Sequence, residues 1–147
     1  MDPIEIAAIM NATDAIRQWL GFEQLNDAER VISLISSARF EIIMGGLDGF
    51  YYHPAGDYGP ETVWAYEQIG AKDAAGIIRQ ANELFPREMF GMGVAMRSPE
   101  WYSILDDAKD QLEALTNRFL ALDENLIDDL LANYIVMHRN ELPALEI

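Results

Sequence analysis

Apolar residues recur at intervals of three and four along nearly the whole chain, and no stretch shows the two-residue alternation of a β-strand. The first such run comprises Ile6, Ile9, Thr13, Ile16 and Leu20. Gly21 follows this run, and glycine is the residue that most readily ends a helix. Because a helix with one apolar stripe must bury it against other helices, the pattern predicts an all-α fold. We expect about six helices in a single domain that spans residues 1–147.

The second helix has the clearest start signal in the sequence. Asn26 is a favourable N-terminal cap, and Glu29, three residues later, completes a capping box with it. The buried stripe of this helix is expected to comprise Val31, Ile35, Ala38 and Ile42. Gly45 and Gly46 follow the stripe and are expected to end the helix.

Four further helices are predicted beyond the glycine pair. Gly59-Pro60 is a helix-start signal, because proline suits the first position of a helix. The chain is expected to be helical up to Gly70 and again up to Pro86, and residues 87–99 are expected to form a loop. Of the last two helices, the first is expected to carry one continuous buried apolar seam. This seam comprises Leu105, Ala108, Leu112, Leu115, Phe119 and Leu122.

The segment 44–60, MGGLDGFYYHPAGDYGP, contains five of the ten glycines and four aromatic residues. We interpret it as a structural elbow, in which glycines supply backbone angles that end a helix and the aromatic side chains pack back over neighbouring helices. The elbow residues are Gly45, Gly46, Phe50, Tyr51, Tyr52 and Asp57. The alternative is a small ligand pocket lined by Tyr51, His53 and Asp57.

Composition excludes several classes of function. The chain has no cysteine, so disulfides, thiolate zinc sites and cysteine nucleophiles are excluded, and the absence fits a cytoplasmic protein. Two histidines cannot build a histidine-rich metal site, and no phosphate-binding or nucleophile motif is present, so we expect no metal, no cofactor and no catalytic residue. No apolar run reaches the roughly 18 residues that a membrane span requires.

Charge gives the strongest indication of function. The formal net charge is −15, which argues against direct binding of nucleic acid because phosphates would be repelled. Residues 100–129 contain nine acidic residues but only two basic ones. On one continuous helix, Asp106, Asp110 and Glu113 would lie above one another. Each four-residue step rises about 6 Å, which is comparable with the spacing of phosphates along a nucleic-acid strand.

A row of carboxylates at this spacing can imitate a DNA backbone, and the alternative is a solvated acidic face. The residues alone favour the solvated face, and the acidic residues of this region are the candidates for binding a basic partner protein. They are Asp106, Asp107, Asp110, Glu113, Glu124, Asp128 and Asp129.

The middle of the chain also carries a recognisable order of motifs. In sequence it contains LNDAER at residues 25–30, Glu41, Gly45-Gly46, aromatic residues at 50–52, Gly56-Asp57, AYEQIGAKDAAGII at residues 65–78, and Ala81. This order resembles a bacterial DNA-mimic protein family, small acidic all-α proteins that are also classified as a domain of unknown function. The resemblance covers residues from about 25 to 85. Met44 stands where the family usually has a polar residue.

The resemblance implies an all-α homodimer whose acidic side chains occupy the DNA-binding face of a helix-turn-helix transcription factor. The leading hypothesis is therefore a non-enzymatic protein that uses its acidic surface to bind a basic partner. A second hypothesis is an immunity or antitoxin-like protein that blocks a basic toxin or nuclease. A third is a small enzyme centred on Tyr51, His53 and Asp57.

Overall fold

A computed structural model of the chain describes residues 2–144, so the first residue and the last three of the predicted domain lie outside it. Within this range the secondary structure is entirely helical, which confirms the predicted all-α class. The seven α-helices of the described range are α1 (Pro3–Leu20), α2 (Asp27–Tyr52), α3 (Gly59–Gln68), α4 (Lys72–Asn82), α5 (Pro99–Asp107), α6 (Lys109–Leu120) and α7 (Glu124–Met137). Short 3₁₀ turns lie at Phe22–Gln24, Pro54–Tyr58, Arg87–Met89, Val94–Met96 and Arg139–Glu141.

Helix α2 begins with the capping box that the sequence predicts. The backbone N–H of Glu29 donates to Asn26 Oδ1 at 2.8 Å, and the backbone N–H of Asn26 donates to Glu29 Oε1 at 3.0 Å. The predicted end of α1 is also confirmed, because Gly21 has φ 80° and its N–H donates to the Arg17 carbonyl.

The break at the glycine pair differs from the prediction in one respect. Gly46 has φ 67° and ψ −175°, which interrupts α2, but the chain resumes helical geometry at once and continues to Tyr52. Gly45 has no positive φ. The backbone N–H of Leu47 is freed by the break, and it donates to Thr116 Oγ1 of α6 at 2.9 Å. A hydrogen bond from another helix therefore stabilises the resumed part of α2.

The predicted single helix from Leu105 to Leu122 is wrong, because the structure divides it into α5 and α6. The division lies at Ala108, with φ −94° and ψ 10°. Most of the apolar seam is nevertheless buried within the chain, since Leu105, Ala108, Leu112 and Phe119 are buried and Leu115 and Leu122 are half-buried. This division accounts for seven helices where about six were expected.

The core is built around α2, which packs against α1, α3, α5 and α6, while α3 and α4 form a second close pair. It includes a group of packed aromatic side chains. Phe85 stacks on Trp101 with ring centroids 4.3 Å apart, and the Trp101 indole N–H donates to the Tyr51 carbonyl at 3.0 Å. This cluster joins the elbow to α5. None of the described helices is both long enough and apolar enough to cross a membrane.

Candidate functional site

All seven predicted partner-binding carboxylates are exposed, and they are distributed over three helices. Asp106 and Asp107 lie in the last turn of α5, Asp110 and Glu113 in α6, and the other three in α7. The negative end of the helix dipole makes the last turn an unfavourable place for a carboxylate. The expectation that Asp106, Asp110 and Glu113 share one continuous helix is wrong, because α5 ends at Asp107 and α6 begins at Lys109.

Most of these charges have no cationic partner among the described residues. Asp128 is the exception, since its Oδ1 lies 2.6 Å from Arg39 Nη1 of α2. The other six form no ion pair within residues 2–144. Of the two basic residues nearby in sequence, Arg118 donates to the neutral side chain of Gln80. The α5–α7 region thus presents negative charge that the described part of the chain does not neutralise.

Asp48, which the sequence did not single out, adds to this surface. With Tyr52, Asp106 and Lys109 it lines a cavity of about 300 Å³ between the end of α2 and the α5–α6 junction. Burial raises the pKa of Asp48, Lys109 lowers it, and Glu113 raises it again. The buried Asp48 Oδ1 also has no hydrogen-bond partner among the described residues. No pattern in the sequence marks Asp48, because the contact depends on how the elbow packs against α5.

The three aromatic residues of the elbow differ in burial. Phe50 and Tyr51 are fully buried, whereas Tyr52 is 58% exposed. Tyr52 follows Tyr51 on the resumed part of α2 and therefore points about 100° away from it around the helix axis. Its ring makes an edge contact with Tyr102 at 5.9 Å between centroids.

Asp57 is buried, and its charge is compensated by Arg97. The sequence placed Arg97 in the predicted loop 87–99 and gave no indication of this pair. Arg97 Nη2 lies 3.2 Å from Asp57 Oδ1, and the two side chains are 0% and 7% exposed. The same guanidinium donates to the carbonyls of Tyr52 and His53 at 2.6 and 2.9 Å and lies over the Trp101 ring at 4.6 Å. This contact, which we call the Arg97 clamp, fastens the segment before α5 to the elbow.

The three residues of the predicted small pocket do not converge. The Tyr51 hydroxyl donates to Asn82 Oδ1 at 2.6 Å, and burial raises the pKa of Tyr51 well above its usual range. His53 is exposed and its Nδ1 lies 2.7 Å from Glu41 Oε2, while Asp57 is held in the Arg97 clamp. Each side chain is thus occupied by a different partner. Residues 2–144 also contain no group of three His, Cys, Asp or Glu residues arranged to hold a metal ion.

Comparison with known proteins gives one finding. A family model described as DMP19-like protein matches residues 23–138. The match begins just before the capping box of α2 and extends to the end of α7, so it includes the elbow, the Arg97 clamp and all the acidic residues of α5–α7. Neither the curated proteins nor the solved structures yield a match to this chain.

Proposed function

Because the chain belongs to the DMP19-like protein family, we propose that it is a non-enzymatic binding protein whose acidic surface occupies the DNA-binding face of a basic partner. The observation that carries the proposal is the set of exposed carboxylates on α5–α7. Six of these seven have no ion pair within the described residues.

Holding these charges close together has an energetic cost. Like charges one helical turn apart destabilise a helix by roughly 0.2–0.5 kcal/mol per pair, and two of the aspartates also lie at the unfavourable end of α5. A basic partner would remove that repulsion and replace it with attraction. Complementary charge also accelerates association, which suits competition with DNA for the same protein surface.

The resemblance to DNA mimics points to a helix-turn-helix transcription regulator as the partner. Such a protein has a face already shaped to bind closely spaced negative charges. The proposal includes a cytoplasmic location, because that is where a bacterial regulator meets its DNA. A basic toxin or nuclease would be the partner under the immunity or antitoxin alternative, and identification of the bound protein separates the two.

The homodimer implied by the resemblance is part of the same proposal. Phe40, Ile43 and Met44 lie on one face of α2, and their side chains are 63%, 54% and 71% exposed. The spacing of three and four residues places them side by side, and none of them is charged. An apolar face on a protein of net charge −15 is a surface on which two copies could meet without bringing carboxylates together.

The test is partner affinity at two salt concentrations. A partner recovered by pull-down from the native cell is titrated with the wild type and with the triple variant Asp106→Asn, Asp110→Asn, Glu113→Gln. Binding by the wild type should weaken steeply as salt rises, and DNA should compete with it. The triple variant should associate more slowly, with a smaller dependence on salt.

The matched control is the triple variant Glu5→Gln, Asp73→Asn, Glu88→Gln. It removes three charges from exposed positions outside α5–α7 and should bind nearly as the wild type does. If the two triple variants bind equally, net charge alone governs association. If both triple variants bind the partner with the affinity of the wild type at both salt concentrations, the acidic residues of α5–α7 form only a solvated face.

A further inference from the structure

A second cavity lies on another part of the molecule and involves none of the seven carboxylates described above. Its volume is about 520 Å³, enough for a small ligand. It is bounded by the turn before α2, the turn Pro54–Tyr58, the first turn of α3 and residues 91–93. The lining residues that matter here are Phe22, Glu23, Arg30, Asp57, Tyr58 and Glu61.

Three of these side chains are carboxylates, and Glu61 is the one without an ion pair among the described residues, since Glu23 lies 3.9 Å from Arg30 and Asp57 lies 3.2 Å from Arg97. The Asp57 side chain is only 7% exposed, its Oδ1 accepts both bonds from Arg97, and its Oδ2 accepts none from the described residues. Burial raises the pKa of Glu61, a hydrogen bond from its own backbone lowers it, and the charges of Glu23 and Asp57 raise it again. The Glu61 carboxylate therefore lies where the neighbouring carboxylates of Glu23 and Asp57 disfavour its ionised form.

The two guanidinium groups nearby are already engaged. Arg97 is held in its clamp behind Asp57. Arg30 donates to the carbonyls of Phe22 and Glu23 at 3.3 and 2.9 Å and lies within 4.0 Å of the Glu23 and Asp27 carboxylates. Neither forms an ion pair with Glu61. A cation that enters the cavity could therefore pair with the Glu61 carboxylate.

The aromatic side chains that line the cavity favour one kind of cation over another. The rings of Phe22 and Tyr58 lie 4.5 Å apart between centroids, and the Arg30 guanidinium lies over Phe22 at 5.2 Å. A guanidinium is planar, so it can stack on an aromatic ring while its N–H groups donate to a carboxylate. A compact ammonium ion makes only the second kind of contact.

We propose that this cavity binds a guanidinium group, with Glu61 and Asp57 as acceptors and the Tyr58 ring as a stacking surface. The group would be carried either by a free small molecule or by an arginine side chain of another protein. The proposal goes beyond the acidic-surface function and does not depend on it.

The experiment is an NMR titration of ¹⁵N-labelled protein with agmatine, with the peptide acetyl-Gly-Arg-Gly-amide, and with the same peptide carrying citrulline. Citrulline is the neutral isostere of arginine, so it controls for shape. Agmatine, the arginine peptide or both should shift the amide signals of Gly91 and Gly93 at the cavity rim, and the citrulline peptide should not. If only the arginine peptide binds, the ligand is an arginine side chain of another protein. If agmatine binds as well, free small molecules with a guanidinium group are also ligands.

The variant Glu61→Gln should weaken this binding by about tenfold or more, because it removes a charged hydrogen-bond acceptor. Glu5→Gln lowers the net negative charge equally but lies in α1 outside the cavity, so it should leave the affinity unchanged. The triple variant of α5–α6 should also bind agmatine as the wild type does, which separates this site from the proposed function. Absence of binding by both arginine compounds, or equal affinity of Glu61→Gln and wild type, would overturn the proposal.

Discussion

Gly46 is the residue at which α2 leaves helical geometry, and its position against α6 explains why a glycine is required there. A Cβ atom at this position would lie 3.3 Å from Thr116 Oγ1, the oxygen that accepts the hydrogen bond of the Leu47 N–H. The positive φ of 67° adds a cost for any residue with a Cβ. The break thus depends on one residue and on one hydroxyl from a distant helix.

Replacement of Gly46 by valine should lower the free energy of unfolding by more than about 1 kcal/mol, because a β-branched residue resists positive φ. The measurement is chemical denaturation of the purified protein. Gly45→Ala is the control, since nothing lies within 4 Å of a Cβ at Gly45 and its φ is not positive. This control should be neutral or slightly stabilising. An unchanged stability of Gly46→Val would remove the role assigned to Gly46.

The Arg97 clamp gives a second prediction at this scale. Arg97→Met keeps most of the side-chain volume but leaves Asp57 buried without its partner, which should cost about 3 kcal/mol or more. Thermal and chemical unfolding measure the loss. Arg87→Met, at an exposed position without an ion pair among the described residues, should change stability by less than about 0.5 kcal/mol. The double variant Arg97→Met, Asp57→Asn should recover part of the loss, and equal stability of the single and double variants would contradict the charge argument.

At the scale of elements, the sequence predicted helices more accurately than their interruptions. The N-terminal cap of α2 and the stops at Gly21 and Gly70 follow from local chemistry and appear where expected. The break at Ala108 has no local signal, because the apolar spacing continues through it without glycine or proline. The exposure of Tyr52 likewise had no local signal, since periodicity does not say which side of a helix its neighbours cover.

The apolar face of α2 leads to a prediction about assembly. If two copies meet through Phe40, Ile43 and Met44, light scattering should give the mass of a dimer at micromolar concentration. The variant Met44→Glu, Ile43→Lys should be a monomer with unchanged helicity, because it places charges on the face without altering the core. Leu126→Glu, an exposed apolar position on α7, is the control and should remain a dimer. A wild-type monomer at high micromolar concentration would argue against the homodimer.

At the scale of the molecule, the acidic composition was evident from the sequence, but its organisation was not. Of the seven carboxylates predicted to bind a partner, the sequence could not show that Asp128 pairs with Arg39, 89 positions away. It also gave no sign of Asp48 or of the cavity that contains Glu61, because both depend on contacts between distant segments. Such contacts arise from packing, which a one-dimensional pattern does not encode.

Stability should rise as the pH falls from neutral. Burial raises the pKa values of Asp14, Asp48 and Glu61 above their usual 3.8, 3.8 and 4.5, so the folded protein holds these protons more tightly than the unfolded chain does. Protonation therefore favours the folded state in the interval between the ordinary and the raised values. Thermal unfolding measured from neutral pH down towards these ordinary values should give a Tm that rises as the pH falls through the raised values. The gain should shrink in the variant Asp14→Asn, Asp48→Asn, Glu61→Gln and persist in Glu5→Gln.

The central position of α2 has a consequence for how the protein is made. Helix α2 is the second helix to be synthesised, but two of its contacts need helices that are made later. Leu47 donates its backbone N–H to Thr116 of α6, and Arg39 pairs with Asp128 of α7. Because chains emerge from the ribosome in order from the N-terminus, an incomplete chain leaves Leu47 and its neighbours without the helices that cover them. The nascent chain therefore exposes one flank of its longest helix until α6 has left the ribosome, and chaperones that bind apolar segments during translation should recognise it there.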